Sequence, residues 1–332
     1  MRTYSVAFLG FGNVARALVR LLDARGAELE ARYGVAWRAT GIATRSTGWW
    51  ANADGVRLDA PRSGATRCYD VGDWLLSARP DVVFESIALD PHTGQPALEY
   101  ITEALRAGAH VVSANKGPLV HGYPQLAAVA ESHGCSYRFE AAVMDGAPVF
   151  SLVRRCLPLG RVHAVSGVFT STATVVLEAV EDGLTIDDGI RRAQALGIAE
   201  ADPSYDVDGW DTAVKLCAVA SVILERPVRP ADVGREGLRA LDPEAVRAAR
   251  RDGFAIRLVG RVGRDATGAA VARVAPERLA SSDPLAVSGT TLVMRYEAEV
   301  FPGGLTVTSG SPDLTTTAYG MFADFLEVIG AT

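Results

Sequence analysis

The sequence predicts an α/β protein, a doubly wound parallel sheet followed by an α+β region, on three observations. Short apolar runs alternate with amphipathic ones over the first 140 residues, the pattern that builds parallel sheets. The first run ends in a glycine-rich turn, GFGNVA, at residues 10–15. After Pro148 the alternation gives way to helices and then to hairpin-like strands, so the second half follows another plan. At 332 residues the chain exceeds the usual single-domain size, and two or three structural units are expected.

Taken in order, the strands expected in the first half are VAFLG (6–10), ATGIAT (39–44), DVVFESI (81–87), HVVSA (110–114) and YRFEAAV (137–143). The helices between them span 13–34, 95–108 and 123–134, with glycines as closing signals. Beyond Pro148, RVHAVSGVFT (161–170) reads as a strand, and residues 185–197 and 209–224 as helices. Thr185 and Asp188 have the spacing of a capping box. FAIRLVGRV and AAVARVAP flank GRDATG as a hairpin, TTLVMRYEAEV and GLTVTSG are further strands, and TTTAYGMFADFLEVIG is a closing helix. There is no internal repeat or long charge run.

Composition excludes several classes of partner. With 48% hydrophobic and 22% charged residues the chain is an ordinary globular protein. A formal net charge of -6 argues against nucleic acid and against anionic membranes, since phosphate is held by excess Lys and Arg. The apolar run LCAVASVIL (216–224) is about half the roughly 18 residues of a spanning helix. The N-terminal VAFLGFG is expected to be a buried strand rather than a signal peptide. Cys68, Cys135, Cys156 and Cys217 are scattered without a CxxC pair, which suits free thiols in the cytoplasm. The five histidines form no HExxH pair, so no catalytic metal is expected.

In GFGNVA, Gly10, Gly12 and Ala15 fit GxGxxG/A between a strand and a helix, the Rossmann-type dinucleotide fingerprint. Gly10 allows the tight turn, Gly12 lets a pyrophosphate approach the backbone, and Ala15 lets helix and strand pack closely. Asn13 and Val14 open the helix, whose N terminus offers free N–H groups and positive dipole. Where the second strand ends, an NAD site usually carries an acid for the ribose hydroxyls; Thr44, Arg45 and Ser46 stand there instead. A guanidinium pairs with a 2'-phosphate, so Arg45 favours NADP over NAD unless it is simply a solvated loop residue. Ser113, Asn115 and Lys116 of SANKGP follow a parallel strand, where open α/β sheets place their ligands.

The stretch AEADPSYDVDGWDTAVK (199–215) gathers Glu200, Asp202, Asp206, Asp208 and Asp211 ahead of Lys215. Asp211 and Lys215 are four apart and share a helix face. Alone, that spacing is most often a solvated surface pair. Five acids in so short a span repel one another unless some face a cationic ligand, and an amino-acid substrate is such a cation. Alcohol oxidation by a nicotinamide releases a proton that a neighbouring group must accept, and Lys215 and Lys116 are the candidates. On sequence alone, an exposed turn lysine is the competing account of Lys116.

Together, GFGNVAR, SANKGP, EAAVMDGAPVF and AQALGIAEADPSYDVDGWDTAVK resemble the homoserine dehydrogenase family over nearly the whole chain. The resemblance implies reduction of aspartate semialdehyde to homoserine with NAD(P)H, in threonine and methionine biosynthesis, by a homodimer. It implies a dinucleotide-binding domain of residues 1–138 with the C-terminal helix 315–332, a dimerisation region of 139–150 and 285–314, and a catalytic domain of 151–284. Glu200 would hold the substrate ammonium; Asp206, Asp211 and Lys215 would surround the reacting group; Thr172 would bind substrate; Lys116 would share the proton transfer. Backbone carbonyls of Glu140, Val143, Asp145 and Ala147 match a segment that binds sodium (Na+) in some relatives. A regulatory domain and a fused kinase occur in others, and at 332 residues neither is expected here.

The pattern departs from the family at three places. The usual Asn-Gly-Thr-Thr-Asn is replaced by Thr170, Ser171, Thr172, Ala173 and Thr174; the usual GYAE reads GIAE, with Ile198; and the late glycine-rich loop reads SGSPDLTTTAYG. Lost donors of this kind change substrate preference. Two alternatives therefore stay open: a related oxidoreductase for another hydroxy or oxo acid, and a non-catalytic NADP-binding protein.

Overall fold

A computed structural model describes residues 1–265 and 267–331. Ala266, in the expected GRDATG turn, and Thr332, at the end of the expected C-terminal domain segment, lie outside the described residues. The chain divides into two compact units, Met1–Gly146 with Asp313–Thr332, and Ala147–Pro312.

The first unit contains β1 (Arg2–Leu9), α1 (Asn13–Ala24), α2 (Gly26–Tyr33), β2 (Val35–Thr44), β3 (Gly48–Ala51), β4 (Thr66–Cys68), α3 (Val71–Ala78), β5 (Val82–Glu85), α4 (Ala97–Arg106), β6 (His110–Ser113), α5 (Gly117–Ser132) and β7 (Tyr137–Arg138). Its sheet runs in the order β4-β3-β2-β1-β5-β6-β7. The strands from β2 to β7 in that order are parallel, and β3 and β4 form an antiparallel edge. Strand order reverses between β1 and β5, which opens a crevice at their carboxyl ends. Val6, Phe8, Val82 and Phe84 meet Leu18 and Leu22 of α1 in the core, joined by Phe322 and Phe325 from the C-terminal helix Leu314–Val328.

Four local expectations for this unit need correction. The helix expected over 13–34 is two helices, broken at Arg25 (φ -98°, ψ 2°), and Gly34 closes the second in the left-handed region. The strand expected over 137–143 stops at Arg138: residues Glu140–Ala142 form a 3-10 turn, and the Glu140 N–H donates to Asp324 Oδ2 at 2.7 Å instead of to a sheet neighbour. The helix expected from 123 starts at Gly117, because Pro118 sits in the first turn, where its missing N–H would have had no partner. Finally, β3, β4 and α3 lie in a stretch without expected elements. They are pinned by Trp74, fully buried, whose ring lies where a Cβ on Gly41 would be 2.8 Å away.

The second unit contains β8 (Val162–Val168), α6 (Ser171–Glu181), α7 (Ile186–Ala195), α8 (Ser204–Val207), α9 (Trp210–Val222), β9 (Gly234–Arg235), α10 (Pro243–Arg251), β10 (Phe254–Arg264), β11 (Ala270–Ala280), β12 (Leu292–Ala298) and β13 (Phe301–Ser309). The helix Leu314–Val328, α11, then returns to the first unit. The sheet order is β13-β12-β8-β10-β11-β9, antiparallel except between β11 and β9. The expected hairpin is β10 and β11, and the Thr185–Asp188 capping box opens α7. Helices α6 and α10 were not expected. Both α6 and α9 pack on β10, so the chemistry-bearing helices of this unit stand on a sheet.

Candidate active site

In the first unit the glycine loop connects β1 to α1. Gly10 has φ +86°, and a Cβ there would lie 2.7 Å from the Ser86 carbonyl oxygen, so only glycine lets the β1 and β5 loops come this close. A Cβ on Gly12 would meet nothing within 4 Å. Its missing side chain therefore leaves space on the ligand side rather than relieving protein packing. Ala15 is buried against the core. Asn13 and Val14 begin α1, and no side chain caps its N terminus, which leaves first-turn N–H groups for an anion.

A cavity of about 880 Å³ opens at this loop, lined among others by Gly10, Gly12, Arg16, Arg45, Ser46 and Ser86. Its size suits a ligand with several rings and charged groups. Arg45 is exposed at its wall. No acid ends β2. Thr44 takes that position, and its hydroxyl accepts the Thr47 N–H at 2.9 Å, closing the turn to β3. The Arg16 guanidinium stacks 5.2 Å from the Phe11 ring on the same wall. This donor set, with the cradle around Gly10 and Gly12, fits a dinucleotide.

Ser113 and Asn115 turn their side chains inward. Ser113 Oγ donates to Glu85 Oε2 at 2.5 Å, Asn115 Nδ2 donates to Glu85 Oε1 at 3.3 Å, and Asn115 Oδ1 accepts the Gly117 N–H at 3.0 Å. Their side chains thus build the loop that carries Lys116, and contact with a cofactor falls to the main chain of that loop. Glu85 was missed in the sequence, although an acid ending the otherwise apolar run VVFE was a signal.

In the second unit Asp211 and Lys215 form a pair at 2.8 Å (Nζ–Oδ2), and each residue is only 8% exposed. This is not the solvated pair that the spacing alone suggests. Lys215 Nζ also donates to the Phe169 carbonyl at 2.6 Å, which ties α9 to the end of β8. Asp206 lies on α8, which packs against α9 and α6. Thr172, buried on α6, donates to the Ile198 carbonyl at 3.2 Å and so fastens the segment before Glu200. Glu200 itself is exposed. The remaining acids of the cluster shape the chain: Asp202 accepts the Ser204 N–H at 3.0 Å, and Asp208 pairs with Arg239 at 2.9 Å.

Tyr205, between Pro203 and Asp206, was also missed. Its hydroxyl is buried without a hydrogen-bond partner, and burial, followed by the nearby Asp211 and Asp206 charges, pushes its pKa up. Thr174, in the altered TSTAT segment, likewise has a buried hydroxyl without a partner. Burial pushes the Cys217 thiol up to about 12, which makes it a poor nucleophile.

Of the residues considered for sodium, Glu140, Val143 and Asp145 belong to the first unit and Ala147 opens the second. Asp145 has φ +49°. Among the described residues no group of three His, Cys, Asp or Glu side chains is arranged to hold a metal ion, and no helix is long and apolar enough to cross a membrane.

Comparison with known proteins places both halves together. The family model "Homoserine dehydrogenase" matches residues 148–326, and "Homoserine dehydrogenase, NAD binding domain" matches residues 10–140. The chain is 32% identical to the NAD(+)-dependent homoserine dehydrogenase of Pseudomonas canavaninivorans, over 99% of this chain and 97% of that protein. It superposes on a homoserine dehydrogenase from Thiobacillus denitrificans with a TM-score of 0.83 at 28% identity, covering 99% of this chain and 73% of that one. It shares its fold with a hyperthermophilic archaeal homoserine dehydrogenase in complex with NADPH, at a TM-score of 0.82 and 24% identity over 100% and 99% of the two chains. The glycine cradle and the buried lysine pair thus sit in a chain that belongs to the homoserine dehydrogenase family of NAD(P)-dependent oxidoreductases.

Proposed function

We propose that the chain interconverts L-aspartate 4-semialdehyde and L-homoserine, with NADP preferred over NAD. The observation that carries the chemistry is the buried Lys215, held at once by Asp211 and by the Phe169 carbonyl. When bound, the nicotinamide cofactor supplies the hydride to the aldehyde carbon or takes it from the alcohol carbon. Lys215 gives a proton to the carbonyl oxygen in reduction and accepts it from the hydroxyl in oxidation, so that charge and atoms balance. Asp211 fixes the position of the ammonium group and favours its charged form. Lys116 shares the proton transfer.

Glu200 holds the substrate ammonium, Asp206 stands with Asp211 and Lys215 around the reacting group, and Thr172 acts through its bond to Ile198, which sets where Glu200 stands. Gly10, Gly12, Asn13 and Val14 hold the pyrophosphate, with main-chain groups at Ser113, Asn115 and Lys116 completing the cofactor contacts. The preference for NADP rests on Arg45 at the cavity wall and on Thr44 in place of an acid. Sodium, bound by main-chain oxygens of the segment containing Glu140, Val143, Asp145 and Ala147, supports the fold of that segment. The working form is a cytoplasmic homodimer, with residues 139–150 and 285–314 as its dimerisation region, beside a dinucleotide-binding domain of 1–138 with 315–332 and a catalytic domain of 151–284.

The test is NADPH oxidation with L-aspartate semialdehyde, repeated with NADH and then in reverse with L-homoserine and NADP. Turnover of about 1 per second or faster supports the assignment. A second reading, a related dehydrogenase for another hydroxy or oxo acid, draws on the unpartnered hydroxyls of Tyr205 and Thr174, which await polar groups on some substrate. Cofactor binding without turnover on homoserine, and turnover on another hydroxy acid, would favour it.

A further inference from the structure

The cavity at the glycine loop carries a carboxyl to which the proposed chemistry gives no task. Among the described residues Asp59 is the single acid in its wall, where the bases are Arg16 and Arg45. Asp59 belongs to the loop between β3 and β4, and that loop is built onto β2. The Asn52 N–H donates to the Thr40 carbonyl at 2.9 Å and the Val56 N–H to the Ala39 carbonyl at 2.7 Å. Asn52 Nδ2 closes the loop on the Gly64 carbonyl at 2.8 Å, and Leu58 packs on the core of this unit. Asp59 follows Leu58 and is thereby held on the β2 side of the cavity, the half in which a doubly wound sheet takes the adenosine ribose.

Arg57 orients this carboxyl. Its Nη2 donates to Asp59 Oδ2 at 2.8 Å and its Nε to Oδ1 at 3.2 Å, a fork that fixes the plane of the group. Arg57, helped by main-chain N–H groups at Asp59 and Ala60, holds the carboxyl below its ordinary pKa, so it is ionised at neutral pH. Arg57 itself is not in the cavity wall. A carboxylate accepts about four hydrogen bonds, and with the side chain 72% exposed its oxygens stay open to a ligand. The end of β2 offers no rival acceptor of this strength, because Thr44 Oγ1 is engaged by the Thr47 N–H at 2.9 Å and the Thr47 hydroxyl at 2.6 Å.

A ribose 2'-hydroxyl donates to a carboxylate, whereas a 2'-phosphate brings negative charge against it. Discrimination between close ligands is built from a repulsive element as well as an attractive one. We propose that Asp59 is the second determinant of cofactor choice, accepting the 2'-hydroxyl of NAD(H) and repelling the 2'-phosphate of NADP(H), so that the selectivity of the site is the balance of Asp59 against Arg45. The proposal rests on the dinucleotide reading of the cavity and deepens it, and it is independent of which hydroxy acid is the substrate.

The test is calorimetric titration of the full chain with NADPH and with NADH, for wild type, Asp59→Asn and Arg57→Ala. The quantity read is the ratio of the two Kd values. Asp59→Asn, which keeps the shape and removes the charge, should move that ratio towards NADPH by about threefold or more. A smaller shift, or one towards NADH, overturns the proposal. Arg57→Ala leaves the Asp59 charge without its cation, so the ratio should stay at the wild-type value or move towards NADH. A move towards NADPH in both variants would mean that the loop has been disturbed rather than its charge removed, and would overturn it as well. A wild type that prefers NADH corrects the NADP preference proposed above while the shift in Asp59→Asn still decides the role of Asp59. A wild type that binds neither nucleotide overturns the dinucleotide reading, and the proposal with it.

Discussion

Each unit buries a polar cluster beside its expected site residues, around Glu85 in the first and Lys215 in the second, and the two are held in different ways. In the first, the groups that face the Glu85 carboxyl among the described residues are neutral: Ser113, Asn115 and a main-chain N–H, drawn from the ends of two parallel strands. In the second, Lys215 has an anion, Asp211, one helical turn away and a carbonyl from β8. Burial pushes the pKa of the Glu85 carboxyl up, whereas a buried ion pair holds both of its charges. The first arrangement shapes the loop that carries Lys116, whereas the second must touch its substrate to act on it.

The largest test of that contrast is Lys215→Ala. We expect kcat to fall about 1000-fold while cofactor affinity stays within about twofold, because the pair acts by contact on the substrate. The same change takes the Lys215 cation away from the buried Asp211 carboxylate, a loss of about 3 kcal/mol in stability that denaturant unfolding would register. If stability falls but turnover survives, the pair is structural. Asp211→Asn keeps the shape and removes the counter-charge. Its kcat should drop by about one to two orders of magnitude, with a pH profile displaced towards lower pH, since a lysine that has lost its carboxylate gives up its proton more readily. A wild-type pH profile in this variant would contradict that role.

In the first cluster, Ser113→Ala removes one of the three hydrogen-bond partners that face the buried Glu85 carboxyl among the described residues. About 2 kcal/mol of stability should be lost, with kcat unchanged within about twofold. A collapse of kcat at full stability would mean that the serine touches the reacting groups. Tyr205→Phe probes a hydroxyl that has no hydrogen-bond partner among the described residues. Removing it should leave the melting temperature unchanged or slightly higher, and lower kcat/KM about tenfold; unchanged kinetics would show that the phenol meets no substrate.

The smallest effect lies outside both clusters, at the α7 cap. Thr185 and Arg191 hold the Asp188 carboxyl at about 2, below its ordinary 3.8. Its folded-state pKa is depressed, so its contribution is full above pH about 4 and is lost as pH falls through about 2. The melting temperatures of wild type and Asp188→Asn should therefore differ slightly at neutral pH and converge on acidification. A gap that widens in acid would reverse the sign.

Much of this arrangement was legible because it is local. The glycine loop, the alternation of strands and helices, the Thr185–Asp188 cap and the β10–β11 hairpin all depend on residues within a few positions of one another. The breaks in that legibility were tertiary. Residues 137–143 look like a strand throughout, but Asp324, far along the chain, captures the Glu140 N–H and ends the strand at Arg138. The stretch 48–78 carried no expected element, and its strands and helix are organised by Trp74 filling the space left by Gly41.

By itself the sequence determined the fold class, the family and the four-residue spacing of Asp211 and Lys215, because hydrophobic periodicity, turn glycines and helix geometry are properties of neighbouring residues. Only the tertiary structure decided that this pair is buried, that Phe169 supplies its third partner, and that Ser113 and Asn115 turn towards Glu85. Burial and long-range pairing depend on which distant segments are packed against a group, and those segments set whether its charge is solvated, cancelled or left to act.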